Sequence, residues 1–419
     1  RQFAARTGAR ETGVRMKSHP SLSAALQRIE PSQTTAMTDC ATSLREAGRD
    51  IISLSVGEPD LATPDHVVEA MQQALRDGRT RYTPVGGTSE AKRAAALHFT
   101  RDLGIEASPA NVTISAGGKQ AIFHALCATI DPGDEVVIPA PWWVSYPEIA
   151  RFAGASVVPL PTTPASAFRF TAKALEAAIT PRTRWLLLNS PGNPTGAVFP
   201  ADELLAIADV LDRHPHVLVM SDDIYAPLRY NGGDHATLAA LRPDLAANGD
   251  SGRVLTVSGV SKSHAMTGLR IGFATGPEWL ILAMERLQSH SSGNPCSISQ
   301  AGAVAAMEGS QAFLGDWRDI FRARRDLVCA AINAMPGLST PVPDGAFYCL
   351  VEAAPLIGGK IADDGALALH LLEHGVAVVP ASAFGGAHCG LAGFRISFAA
   401  SEDTLRTALQ RIETAVKAL

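Results

Sequence analysis

The residues with the clearest capacity for chemistry lie in the stretch 257–273, which contains Lys262 and, eight positions later, Arg270. Small residues surround the lysine, and the apolar run 254–257 precedes it. A lysine that is packed among small neighbours loses solvation, and this loss lowers the pKa of its ammonium group. The pattern therefore predicts an amine nucleophile, whereas the alternative is a surface lysine beside an ion-paired arginine.

Asp222, Tyr225 and Asn193 follow apolar runs that predict buried strands. The first two come after the run 217–220, and Asn193 lies in the loop N-S-P-G-N-P-T-G that follows the run 185–188. In α/β proteins, ligands bind at the carboxyl ends of the strands. A buried carboxylate is costly without a partner, and a protonated ring nitrogen would form a charge-assisted pair with Asp222. The alternative for this aspartate is a helix N-cap.

The turn A-G-G-K ends at Gly118 and Lys119, between the predicted strand 112–115 and the predicted helix 120–130. A glycine-rich turn that begins a helix directs free backbone N–H groups and the positive end of the helix dipole at an anion. The turn therefore predicts a phosphate site. It matches neither the dinucleotide motif G-x-G-x-x-G nor a nucleotide-binding P-loop.

Three further features could contact a small ligand. Arg395 lies among alternating apolar residues of the predicted strand 393–398, where its guanidinium group needs a partner. The planar guanidinium fits a carboxylate, and a structural ion pair is the alternative. Gly57, in the turn G-E-P-D, permits close approach of a ligand to the backbone. In the segment P-W-W-V-S-Y-P-E, an aromatic ring could stack on a flat heterocycle, which adds about 1 kcal/mol.

Apolar periodicity and turn residues predict the elements that position these groups. The predicted strands are 51–56, 112–115, 135–138, 157–160, 185–188, 217–220, 254–257, 345–351, 376–379 and 393–398. The predicted helices are 35–47, 64–77, 120–130, 172–179, 202–211, 279–288 and 313–334, with a shorter helix before a break at Pro31.

In chain order, the motifs N-P-T-G, S-D-D-I-Y, S-K-x-x-x-M-T-G-x-R-I-G and G-F-R-I-S-F resemble those of the aspartate aminotransferases. These are class I/II aminotransferases of fold type I, which use pyridoxal 5'-phosphate (PLP). The resemblance extends over residues 21–418 and favours the bacterial aspartate/prephenate subgroup. It implies an α/β fold, with a large domain whose mostly parallel seven-stranded sheet is flanked by helices, and a smaller α+β domain.

The resemblance also implies a role for each candidate residue. Lys262 is expected to carry PLP as a Schiff base, Arg270 to hold the phosphate and Asp222 to pair with the ring nitrogen. The implied cofactor contacts are Gly118, Lys119, Trp143, Asn193, Asp222, Tyr225, Ser261, Lys262, Arg270 and Tyr82. The implied substrate contacts are Gly57, Trp143, Asn193 and Arg395.

The implied reaction moves an amino group from an L-amino acid, with aspartate or glutamate as the expected donor, to a 2-oxo acid. No arginine is identifiable for the distal carboxylate of such a donor, so Lys119 and the loop 289–296 are the candidates. Aromatic amino acids or prephenate are alternative substrates. A PLP-dependent lyase that eliminates from Cβ and a PLP-binding regulator are alternative functions.

Gly259 replaces a serine of many relatives, which leaves the phosphate contact to Ser258 or Ser261.

The cysteine usage and the apolar patterning of the 419 residues lead us to expect a cytoplasmic protein. The formal net charge is −5, and Lys and Arg are spread along the chain, which argues against binding to nucleic acid. The six cysteines form no C-x-x-C pair and no zinc-ligand spacing, so we expect no metal site. No apolar run approaches the roughly 20 residues of a membrane helix, so we expect no membrane partner.

We expect the chain to have four parts. Residues 1–15 form an arginine-rich extension that we expect to be disordered, and 16–63 form an N-terminal segment that packs with the small domain. Residues 64–305 form the large PLP-binding domain, and 306–419 form the small C-terminal domain. By resemblance, Tyr82 reaches into the site of a neighbouring subunit, which implies a homodimer.

Overall fold

The computed structural model describes residues 21–233, 235–246 and 252–419, so the predicted extension 1–15 lies outside the described residues. The strands are β1 (Ile52–Ser53), β2 (Val112–Ser115), β3 (Glu135–Ala140), β4 (Ser156–Pro161), β5 (Thr183–Asn189), β6 (Leu218–Asp222), β7 (Val254–Ser258), β8 (Gly272–Thr275), β9 (Tyr348–Glu352), β10 (Val376–Ala377), β11 (Val379–Pro380) and β12 (Gly393–Ser397).

The α-helices lie before, between and after these strands. They are α1 (Ala24–Gln27), α2 (Gln33–Glu46), α3 (Asp65–Arg76), α4 (Ser89–Leu103), α5 (Gly118–Thr129), α6 (Ser145–Ala153), α7 (Ala172–Ala178), α8 (Ala201–Arg213), α9 (Leu238–Leu241), α10 (Pro243–Ala246), α11 (Glu278–Ser291), α12 (Ser297–Glu308), α13 (Phe313–Asn333), α14 (Asp364–Glu373) and α15 (Glu402–Lys417).

Within the described residues, the largest sheet has seven strands in the order β2-β8-β7-β6-β5-β3-β4. The strand β8 runs antiparallel to both of its neighbours, and the other pairs are parallel. These strands are continuous apolar runs because helices cover both faces of a parallel sheet. The expected α/β fold with a mostly parallel seven-stranded sheet is therefore confirmed.

Apolar side chains form a core on each face of this sheet. On one face, Phe99 of α4 and Leu211 of α8 join the same buried cluster as Phe273 of β8. On the other face, Ile122 of α5 and Leu280 of α11 pack in a second cluster. Because the sheet is buried on both sides, its strand ends form a stable edge from which loops can project.

A second body is built around the antiparallel sheet β11-β12-β9. Phe321 of the long helix α13 packs there in one buried cluster with Phe347 and Phe394. The N-terminal segment joins this body, because β1 pairs in parallel with β10. The carboxylate of Asp60 also accepts two hydrogen bonds from Arg324 of α13, at 2.7 and 3.0 Å. These contacts support the proposed grouping of 16–63 with the small domain.

Most predicted strands differ from the observed ones by one or two residues at an end, and three differ more. The predicted strand 376–379 is two short strands, because Val376 pairs with Ile52 whereas Val379 pairs with Arg395 of another sheet. The predicted strand 345–351 begins only at Tyr348, because Ala346 has a φ of 56° that a strand cannot accommodate. The predicted strand 51–56 is reduced to the two residues of β1.

Among the helices of the described residues, none has both the length and the apolar character that a crossing of the bilayer requires. The same residues contain no group of three or more His, Cys, Asp or Glu side chains arranged to hold a metal ion.

We predict that Phe273→Ala lowers the free energy of unfolding by about 3–5 kcal/mol, because Phe273 is fully buried and removal of its ring leaves a cavity. Its ring centroid lies 5.6 Å from that of Phe99 and 5.2 Å from that of His98. Urea denaturation followed by circular dichroism measures the change. The control is Leu205→Ala on α8, at a side chain that is 41% exposed, which should cost less than about 0.5 kcal/mol. Equal losses in the two variants would contradict the core described above.

Candidate active site

A cavity of about 390 Å³ lies where the loops after β2, β5, β6 and β7 meet. It brings together most of the residues that the sequence singled out. These are Gly57, Gly118, Lys119, Trp143, Asn193, Asp222, Tyr225, Ser261, Lys262, Arg270 and Arg395. Residues separated by more than 300 positions in the chain therefore share one site.

Lys262 lies in the loop after β7, and its Nζ donates a hydrogen bond to the backbone oxygen of Gly57 at 2.5 Å. Burial, together with the cations Arg270 and Arg395, lowers the pKa of Lys262 to about 8, although the charges of Glu58 and Asp222 oppose the shift. The predicted loss of solvation is thus present in the fold. A lysine in this state supplies a neutral amine at moderately alkaline pH.

Asp222 is the last residue of β6, and its carboxylate is 6% exposed. The hydroxyl of Tyr146 donates to its Oδ2 at 2.6 Å, and the backbone N–H of Ile224 donates to its Oδ1 at 3.3 Å. Burial raises the pKa of Asp222 to about 6, and these two hydrogen bonds limit the increase. The carboxylate is therefore mostly ionised at neutral pH and could hold a proton on a ligand nitrogen.

Two asparagines, the last residue of β5 and a residue of the loop after it, are linked to Asp222 through hydrogen bonds. Asn189 donates through Nδ2 to the backbone oxygen of Asp222 at 2.8 Å, and its Oδ1 accepts from the backbone N–H of Asn193 at 2.9 Å. The hydrogen bond to its backbone N–H therefore fixes the position of Asn193 at the edge of the sheet. Nearby, the hydroxyl of Tyr225 lies 2.8 Å from that of Tyr348, and burial raises the pKa of both phenols.

Arg395 of β12 is 2% exposed and lies between two aromatic rings. Its Cζ is 4.5 Å from the ring centroid of Tyr348 and 4.8 Å from that of Phe384. Its Nη1 donates to Oδ1 of Asn193 at 2.8 Å, and its Nη2 donates to the backbone oxygen of Ser55. Among the described residues no carboxylate pairs with this guanidinium group, so the structural ion pair considered above is absent. The buried cation remains available to a carboxylate ligand.

An anion site is formed by the start of α5 and by Arg270. Gly117 precedes the helix with a φ of 86°, and a Cβ at this position would lie 2.4 Å from Nη2 of Arg270. A Cβ at Gly272 would lie 2.3 Å from the backbone nitrogen of Gly118. The positive φ at Gly117 and the close approach of backbone at Gly272 therefore require glycine, and they leave the N–H groups of the helix end facing the cavity. The Nη1 of Arg270 donates to the backbone oxygen of Thr267 at 2.9 Å, which orients the guanidinium group.

The side chain of Lys119 reaches the ring of Trp143, with 4.9 Å between Nζ and the ring centroid. Burial and the neighbouring Arg270 lower the pKa of Lys119. Trp143 also meets Tyr146 edge to face, with 5.2 Å between the ring centroids. The other tryptophan of the motif, Trp142, is buried outside this cavity.

Three predicted positions have distinct surroundings. Ser261 lines the cavity, whereas the hydroxyl of Ser258 lies 3.1 Å from Nε2 of His98 and does not line it. The geometry therefore favours Ser261 over Ser258 as an anion contact. Tyr82 is outside the cavity and is 99% exposed in the single chain.

Several residues of the site were not identified from the sequence. They are Ser32, Thr34, Thr35, Tyr146, Asn189, Thr267 and Tyr348. Tyr146 lies in the aromatic motif that drew attention to Trp143, and Thr267 lies between Lys262 and Arg270. For Tyr348 the sequence gives no signal, because its role depends on contact between β9 and the distant residues Gly57 and Tyr225.

We predict that Lys262 reacts with trinitrobenzenesulfonate in the cofactor-free protein at a rate that rises about tenfold per pH unit up to pH 8 and then levels off. Only the neutral amine reacts, and it predominates above the lowered pKa. Mass spectrometry of the peptide that contains Lys262 measures the rate. Free Nα-acetyl-lysine, which keeps its side-chain amine, is the control, and its reaction rate should rise until about pH 10.4. A Lys262 profile that follows the control would contradict the lowered pKa.

Sequence comparison places these residues in a family. The family model described as aminotransferase class I and II matches residues 49–412. The chain is 47% identical over 399 residues to the aspartate/prephenate aminotransferase of Cereibacter sphaeroides, and this alignment covers 94% of this chain and 98% of the relative. It is 41% identical over 393 residues to the aspartate aminotransferase of Geobacillus stearothermophilus, which covers 93% of this chain and 97% of the relative.

Solved structures agree with the sequence relatives. The aspartate aminotransferase of Rhizobium meliloti superposes with a TM-score of 0.89 at 43% identity, over 95% of this chain and 99% of that chain. The aspartate aminotransferase of Thermus thermophilus with maleate superposes with a TM-score of 0.87 at 41% identity, over 95% of this chain and 100% of that chain. The chain therefore belongs to the class I and II aminotransferase family and is an enzyme of the transferase class.

Proposed function

We propose that the protein is a PLP-dependent aminotransferase that moves the amino group of an acidic L-amino acid, aspartate or glutamate, to a 2-oxo acid. One observation carries the proposal: Lys262, with a lowered amine pKa, shares a cavity with the carboxylate of Asp222, an anion site and the buried guanidinium of Arg395, which has no carboxylate partner among the described residues. These are the groups that an aldehyde, a ring nitrogen, a phosphate and an amino acid carboxylate require.

The residues present fit PLP at three points. The glycines at 117 and 272 keep the helix end open to a phosphate, because a Cβ at either position would collide with the groups that form the anion site. Arg270 has no carboxylate partner among the described residues, so its charge is free for that phosphate. Asp222 provides the acceptor for a protonated ring nitrogen, and Trp143 provides an aromatic face.

PLP, when bound, supplies an aldehyde that joins an amine and a protonated ring that withdraws electrons from the substrate Cα. Asp222 holds the proton on the ring nitrogen, and Tyr225 donates to the ring oxygen. Asn193 can donate to that oxygen too, because Arg395 occupies its Oδ1 and leaves Nδ2 available. Ser261 and the backbone N–H groups at Gly118 and Lys119 complete the cofactor contacts that we propose.

Lys262 is the base that we propose for the proton on the substrate Cα. Its neutral Nζ accepts that proton, and general acid–base catalysis of this kind contributes about 10²- to 10⁴-fold. Arg395 binds the α-carboxylate through two parallel hydrogen bonds, and the backbone at Gly57 lies beside it. This arrangement fixes the Cα–H bond relative to the base.

An acidic side chain on the substrate has a second cation to bind. Lys119 lines the cavity without a carboxylate partner among the described residues, and the hydroxyl groups of Ser32 and Thr35 line it too. The comparisons support the same substrate class, since the relatives are named aspartate aminotransferases and one solved relative is described with maleate. Prephenate is a second candidate as amino acceptor, because several relatives are named aspartate/prephenate aminotransferases.

We also propose a homodimer in which Tyr82 contributes to the site of the partner. The support is that this tyrosine is 99% exposed in the single chain and does not line the cavity described above. In the same proposal, residues 64–305 form the large domain and 306–419 the small one, with 16–63 attached to the latter.

The proposal is tested by absorption spectroscopy of the PLP-loaded protein with a panel of amino acids. Aspartate and glutamate should rapidly replace the absorption band of the imine with that of the pyridoxamine form, because each of their two carboxylates can bind a cation of the site. Lys262→Ala should lose covalent attachment of the cofactor. Conversion by aromatic or branched amino acids alone would overturn the acidic substrate. Net formation of a 2-oxo acid without any amino acceptor would favour the β-eliminating lyase.

We predict that two substitutions separate the carboxylate contacts. Arg395→Ala should lower kcat/KM about 100-fold or more for every amino acid, because each has an α-carboxylate. Lys119→Met should lower kcat/KM about tenfold for aspartate but much less for alanine, which has no second carboxylate. Steady-state kinetics measures both. Equal effects of Lys119→Met on the two substrates, or equal losses of cofactor and amino acid binding in Arg395→Ala, would contradict these roles.

A further inference from the structure

Tyr146 is the one described side chain whose hydroxyl donates directly to the carboxylate of Asp222. The distance between the phenolic oxygen and Oδ2 is 2.6 Å, and the side chain is 4% exposed. Tyr146 lies in the first turn of α6, so the helix backbone fixes its position. This contact is not part of the roles assigned above.

The direction of this hydrogen bond is set by its surroundings. Burial and the neighbouring charge of Asp222 raise the pKa of Tyr146 well above its ordinary value, so the phenol keeps its proton. It therefore acts as the donor and Asp222 as the acceptor. A hydrogen bond from a neutral donor favours the ionised form of a buried carboxylate.

Other charged and titratable groups act on Asp222 from the elements packed around it. Asp223, its neighbour in the chain, disfavours the ionised form, and Lys262, from the loop after β7, favours it. Burial is the largest influence and also disfavours ionisation. The phenol of Tyr225 lies on the same side of the site but donates no hydrogen bond to Asp222. Tyr146 is thus the main side-chain contact that opposes burial.

Tyr146 also contacts the aromatic face of the site. Its ring meets that of Trp143 edge to face, with 5.2 Å between the centroids and an angle of 82° between the planes. One side chain thus touches both the carboxylate expected to meet a ring nitrogen and the ring expected to lie along the cofactor plane. Phenylalanine at this position would keep the ring contact and remove only the hydroxyl.

Resting on the proposed function, we infer that Tyr146 is a positioning residue that keeps Asp222 ionised and aligned to hold a proton on the nitrogen of the cofactor ring. It acts through Asp222 and touches no reacting atom. Loss of the Tyr146 hydroxyl should weaken the part of cofactor binding that depends on the ring nitrogen and leave the part that depends on the phosphate unchanged.

The test compares Tyr146→Phe with a matched control, Tyr230→Phe. Tyr230 is also buried, and its hydroxyl donates to the backbone oxygen of Ala346, away from the cavity. The apoprotein of each variant is titrated with PLP and with an analogue that has carbon in place of the ring nitrogen. Tyr146→Phe should weaken PLP binding about tenfold and leave analogue binding unchanged, because only PLP uses the ionised carboxylate. Tyr230→Phe should change neither.

A second readout is the pH dependence of kcat for the loaded enzymes. In Tyr146→Phe the acidic limb should move to higher pH, because Asp222 loses a contact that favours its ionised form. If the acidic limb of Tyr146→Phe lies at the same pH as that of the wild type, or if PLP and analogue binding weaken equally, the inference is overturned while the proposed function stays intact. The absence of amino transfer in the wild-type protein would instead overturn the proposed function.

Discussion

The parallel pairing of β5, β6 and β7 is the constraint on which the site depends. In this pairing Asn189 lies opposite Asp222, and Asp222 lies opposite Val257. The three strands therefore end at the same level, and the loops that follow them start side by side. Helices bury both faces of the sheet, so the carboxylate of Asp222 and the amine of Lys262 are held by a rigid scaffold and not by the loops alone.

The charges that line the cavity would favour anionic ligands. Lys119, Lys262, Arg270 and Arg395 all line one cavity, and Asp222 is the carboxylate that lines it with them. Cations that are close together and withdrawn from water disfavour one another, and this repulsion contributes to the lowered pKa values of Lys119 and Lys262. A bound phosphate and a bound carboxylate would relieve this repulsion. The same arrangement that lowers the pKa of Lys262 would thus also favour the binding of anionic ligands.

Sequence reasoning identified the residues whose chemistry is unusual for their local surroundings. A lone lysine among small residues, an arginine in an apolar strand and an aspartate after a buried run are all costly unless a ligand meets them, and the cavity collects all three. It did not identify Tyr146 or Tyr348, because buried tyrosines are ordinary core residues until tertiary contacts show what their hydroxyls meet. It also merged β10 and β11, because only the partner strands reveal that the run 376–379 changes sheets.

Arg395 connects parts of the chain that are far apart in sequence. It belongs to β12, donates to Asn193 in the loop after β5, and donates to the backbone oxygen of Ser55 just after β1. The amino-terminal segment thus helps to orient the buried guanidinium group without presenting a charged side chain to it. Engineered chains shortened from the amino end would lose this support once the truncation passes β1, although every residue of the large sheet would remain in place.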